Sequence, residues 1–140
     1  MTDYTPDEKH LEFIQNAITR MGQNSFQAKA WGISIVSALL AFMLSQSNYK
    51  LKIMCIGISI VVTLLFGLLD VYYLYLERGY RSLYNSVAGL TPNHSVRKYD
   101  MKIMEEERGF GKYMKALFSV STGLFYSVVI VGLIIMIIII

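Results

Sequence analysis

The sequence predicts an all-α integral membrane protein with three transmembrane helices, and three observations carry that prediction. The 140-residue chain is 54% hydrophobic and only 16% charged, far from the balance of soluble domains. Its apolar residues are gathered rather than spread: residues 30–44, 53–69 and 116–140 contain no charged side chain at all. Each run approaches the roughly 20 residues that a helix needs to cross about 30 Å of hydrocarbon. A soluble domain of this length has too little other material to cover three segments that are apolar all round.

The elements follow in order. Thr5 can cap a helix, Pro6 suits its first position, and Glu8 completes a capping box. Leu11, Ile14, Ile18 and Met21 then recur at helical spacing and no proline intervenes. A first helix is therefore expected over residues 6–46, about 60 Å long at 1.5 Å per residue, with its membrane span at 30–46. After a short loop, a second helix is expected over 51–89, spanning at 53–70 and stopped by Gly89. Thr91-Pro92 offers a new start, so residues 92–115 are expected to form a connector helix, kinked at "GFG" (109–111). The third span is expected over 116–140.

Charge sets the expected orientation. Only Lys50 and Lys52 lie in the loop between the first two spans; every other Lys and Arg precedes the first span or falls between the second and third. The positive-inside rule then places the N-terminus and residues 76–115 in the cytoplasm and the C-terminus outside, in a multi-pass arrangement. Acidic residues before the first apolar run exclude the n-region of a signal peptide, so the first span is expected to remain in the mature protein.

Small residues mark candidate packing faces: Ala30, Ser34, Ala38 and Ala41 in the first span, and Cys55, Ser59, Thr63 and Gly67 in the second. Close approach of helices in lipid depends on such faces, because there the hydrophobic effect does not drive helices together. Folding the first two helices into a hairpin about Tyr49 brings Lys29 level with Asp70, an expected pair at the membrane edge, where an unpaired carboxylate is costly. Tyr73, Glu77, Tyr80 and Tyr84 continue the second helix's face below the bilayer. This seam has two readings: an interface for another copy or a partner, or an aromatic belt with packing inside the chain. Arg97, Lys98, Lys102, Lys112 and Lys115 are candidate contacts for anionic lipid headgroups.

Chemistry is poorly represented. His10 and His94 have no companions at metal-ligand spacing, and the sequence has no phosphate-cradling glycine loop, nucleophile elbow or zinc motif. Cys55 has no second cysteine to pair with. The expectation is no enzyme, no cofactor and no metal, and no nucleic-acid partner, since no reading motif is present.

"RMGQNSFQAKAW" (20–31) and "LLDVYYLYLERGYRSLYNSV" (68–87) resemble small bacterial inner-membrane proteins. The long first helix with "NSF" just before the membrane is similar to the SLATT-type effectors of antiphage systems and to oligomeric membrane proteins of the RipA kind. The resemblance covers roughly the first 90 residues, and the third span departs from a two-span effector. It implies a homo-oligomeric membrane effector that forms a pore or disrupts the inner membrane when a cytosolic partner senses infection. The alternative from another class is a non-catalytic membrane scaffold that docks a cytosolic protein through its helices. A transporter fits less well, since no charged residue lies deep in any span and no paired internal repeats occur.

Overall fold

A computed structural model describes residues 7–91 and 97–139. In chain order the elements are α1 (Glu8–Leu44), α2 (Tyr49–Val87), a single 3-10 turn (Glu105–Glu107), α3 (Phe110–Leu117) and α4 (Val120–Ile139). The described residues contain no strand. Three helices, α1, α2 and α4, are long and apolar enough to cross a membrane by length and composition.

Each boundary has a local cause. Asp7 caps α1, its side chain accepting the backbone N–H groups of Lys9 (3.1 Å) and His10 (3.4 Å). The expected cap and first position, Thr5 and Pro6, lie outside the described residues. Asn48 caps α2 in the same manner through Lys50 N–H at 2.9 Å. At the far end of α2, Gly89 takes φ 75°, and the N–H groups of Gly89 and Leu90 bond back to the carbonyls of Ser86 and Asn85. This is a Schellman stop, and its left-handed residue is one that glycine adopts without strain.

α1 and α2 pack along their length in opposite order. Met43 near the end of α1 meets Cys55 and Ile56 near the start of α2, and Ile14 and Ile18 meet Leu83 and Val87 near its end. α4 lies against α2: the Tyr126 hydroxyl donates to the Phe66 carbonyl at 3.2 Å, and the Tyr126 ring sits 3.5 Å from where a Cβ on Gly67 would stand. Only Thr122 and Leu133 of α4 are buried.

The connector corrects the sequence expectation. The expected start at Pro92 lies outside the described residues; among those described, residues 97–104 are not helical and helix appears only as the 3-10 turn and the short α3. Tyr99 adopts the left-handed φ of 63°, and the Asp100 carboxylate accepts the Lys102 N–H at 2.9 Å, a local bond that competes with helical pairing. Met101 and Met104 pack on the α1/α2 core, and Ile103 sits against Gly79. The segment is thus a strap across the ends of α1 and α2, its conformation set by tertiary packing. The third apolar helix also starts later than expected, at Val120, because the backbone breaks at Phe118 and Ser119 after α3. Gly109, at φ 120°, is the N-cap of α3 and gives the turn anticipated at "GFG".

Candidate functional site at the ends of the apolar stretches

Polar side chains gather where α1 and α2 pass from apolar to polar sequence. Asp70, wholly buried, receives Lys29 Nζ at 2.7 Å on Oδ1 and 2.6 Å on Oδ2. Ser25 donates to the same Oδ1, and Lys29 Nζ lies 3.3 Å from the Ser25 hydroxyl. Ser25 and Lys29 are one helical turn apart on α1, so both reach the carboxylate from one face. Ser25 is the member that pairing by depth alone did not single out; its i,i+4 spacing to Lys29 was the available signal. The arrangement neutralises a buried charge and fixes the register of α1 on α2.

The tyrosine seam is shared out inside the chain. Tyr80 and Tyr84 are partly buried against Ile14, Ile18, Leu83 and Val87. Glu77 accepts Arg81 Nε at 2.9 Å and stands over Gly22. Tyr73, half-buried, has its ring 5.8 Å from that of Tyr72.

The two small-residue faces part company. On α2, Cys55, Ser59 and Thr63 are buried, and Gly67 is covered by Tyr126. On α1, Ala30, Ser34, Ala38 and Ala41 are all exposed; α1 meets the rest of the chain instead through Ala28, Gly32, Val36 and Met43. Gly32 permits this approach, since a Cβ there would stand 3.1 Å from Phe66.

The basic residues of the connector also separate. Lys98 pairs with Asp7 at 2.7 Å, and the neighbouring His10 Nε2 lies 3.1 Å from the Asp100 carbonyl, tying the strap to the start of α1. The Lys98 ammonium holds the Asp7 carboxyl below its ordinary range, chiefly by the side-chain hydrogen bond, and Asp7 raises Lys98 in return. Arg97 and Lys102 are exposed elsewhere on the strap. Lys112, paired with Glu107 at 2.9 Å, and Lys115 come together with Arg78 and Tyr75 around a cavity of about 160 Å³. Arg78 was not among the sequence candidates. It donates to the Lys115 carbonyl (3.1 Å) and the Ser119 hydroxyl (2.9 Å), joining α2 to the α3–α4 junction.

No group of three metal-ligating side chains occurs among the described residues, and His94 lies outside them. The fold and these clusters define an all-helical protein with three apolar helices of membrane-crossing length and a polar zone at their ends. No family model, curated protein or solved structure matches the chain.

Proposed function

We propose that the chain is a homo-oligomeric inner-membrane effector of bacterial antiphage defence, which forms a pore or disrupts the membrane when a cytosolic sensor triggers it. In this reading α1 and α2 form a hairpin whose polar ends lie in the cytoplasm, with the C-terminus outside. One observation carries the assembly. Glu12, Asn16, Arg20, Gln23, Gln27, Ala30, Ser34, Ala38 and Ala41 follow one another at steps of three and four, and every one is exposed. The stripe holds no large apolar side chain, yet Phe13, Trp31 and Phe42 beside it are more than half exposed. A face that meets lipid gains from bulky apolar side chains; a face that meets another helix, or lines an opening, gains from small and polar ones. The similarity of the long first helix, with "NSF" at residues 24–26 just before the apolar stretch, to SLATT-type effectors supports the same reading.

The test uses the full-length chain in a Cys55→Ser background. Cysteines placed at Ser34 and Ala38 are expected to crosslink between copies, and the protein is expected to release dye from liposomes once triggered. Ala38→Leu is expected to abolish both. A monomer by native mass, together with liposomes that stay sealed, would sink the proposal.

A scaffold is the second reading, favoured by Phe13 and Phe26, which are 53% and 72% exposed on the polar half of α1 and could seat a soluble partner. It predicts that Phe26→Ala removes a co-purifying protein without altering permeability.

A further inference from the structure

Two cavities lie on one face of α2. The first, of about 430 Å³, is a groove between α2 and α4, bordered by Leu64, Leu68, Phe118, Thr122 and Ile130. The second is the basic pocket of about 160 Å³ formed by Tyr75, Arg78, Lys112 and Lys115, with Glu107 its only acid. Leu64, Leu68, Tyr75 and Arg78 are separated by four, seven and three residues, so a single helical face runs from one cavity to the other. Tyr113 stands between them: its hydroxyl donates to the Leu68 carbonyl at 3.3 Å, and its ring meets that of Tyr75 edge-on.

The depths of the two cavities differ in a telling way. α4 has 20 residues, about 30 Å, which equals the hydrocarbon thickness. If α4 spans, hydrocarbon ends near Ser119, the residue that Arg78 reaches. The groove then lies at acyl-chain depth and the basic pocket in the headgroup band. Glu107 is taken up by Lys112, while Arg78 spends two of its donors on the α3–α4 junction and Lys115 is exposed with no carboxylate partner among the described residues. The pocket therefore has a surplus of positive charge.

We infer that these cavities are one binding site for an anionic phospholipid, with its phosphate held by Arg78, Lys112 and Lys115 and an acyl chain lying in the α2–α4 groove. Basic pockets beside spanning helices are suited to phosphate-bearing headgroups. Charge complementarity selects the anionic lipid over a zwitterionic one, and the apolar groove selects a lipid over a free anion. The inference rests on the membrane-spanning reading but not on assembly, because lipid retention is read equally on a monomer or an oligomer.

The experiment is native mass spectrometry of the full-length protein in detergent micelles containing phosphatidylglycerol and phosphatidylcholine. One phosphatidylglycerol per chain is expected, in preference to phosphatidylcholine. Removing two headgroup charges in K112Q/K115Q is expected to weaken retention about thirtyfold. Lys115→Arg should bind like the parent, and Leu64→Trp, which fills the groove from its exposed edge, should weaken binding with the basic residues intact. Should K112Q/K115Q fail to fold, Lys115→Gln alone is expected to weaken retention about fivefold, because that ammonium has no hydrogen-bond or ion-pair partner among the described residues. Equal retention of both lipids, undiminished retention in the glutamine variants, or full displacement by millimolar inorganic phosphate would overturn the inference, the last by marking a site for a soluble anion.

Discussion

Lys29 and Asp70 show how much a single buried charge dictates. With Asp70 wholly buried, removing its partner leaves an uncompensated carboxylate, and Lys29→Met is expected to destabilise the protein by about 3–5 kcal/mol. Replacing both residues with leucine should recover most of that loss, so a double-mutant cycle of melting temperatures in detergent checks the pair. Thr122 makes the opposite case. Its hydroxyl oxygen is buried with no hydrogen-bond partner among the described residues, so Thr122→Val keeps the shape, removes the unmet group, and is expected to stabilise by about 1 kcal/mol in the same assay. At this scale the sequence was informative where geometry is simple. Two proline-free helices joined by a short loop place residues at equal depth by counting, which pointed to Lys29 opposite Asp70. Counting did not identify Arg78, because its role depends on where α3 and α4 meet, a break at Phe118 and Ser119 that the apolar run from 116 to 140 does not reveal.

Helices were legible from apolar runs and, at the end of α2, from Gly89; the caps Asp7 and Asn48 were not, nor was the strap, for a physical reason. Residues 97–104 have mixed character, and their path is decided by what they pack on: Ile103 occupies space that exists because residue 79 has no side chain. A Cβ on Gly79 would stand 2.7 Å from the Ile103 side chain. Gly79→Ala is accordingly expected to displace the strap at a cost of about 1–3 kcal/mol, seen as faster hydrogen exchange at residues 101–104 and relieved by adding Ile103→Ala. The strap's other attachment is electrostatic. Because Lys98 lowers the Asp7 pKa, the pair's contribution is whole above the ordinary value of 3.8 and is lost as the pH falls through the lower, folded value. From the alkaline side, Lys98 is raised, so the contribution fades only above its ordinary 10.5. A carboxyl NMR titration of Asp7 should have its midpoint below 3.8 and move upward in Lys98→Met.

On the scale of the whole molecule, the three apolar helices are not equivalent partners. α1 and α2 share buried residues from one end to the other, while α4 touches the pair along a single line and leaves most of its surface uncovered. Apolar composition was enough to foresee three long helices, but not this asymmetry, because Ile and Val read alike whether they face lipid or protein. The asymmetry bears on how the protein is made. Synthesis runs from the N-terminus, so the closely matched pair is complete, with its Lys29–Asp70 contact available, while α4 is still inside the ribosome. If these helices span, α4 follows the pair as a strongly apolar segment able to partition into lipid alone and dock afterwards, so the translocon need not hold three helices at once. A chain ending at residue 117 should therefore still insert and remain resistant to alkaline extraction.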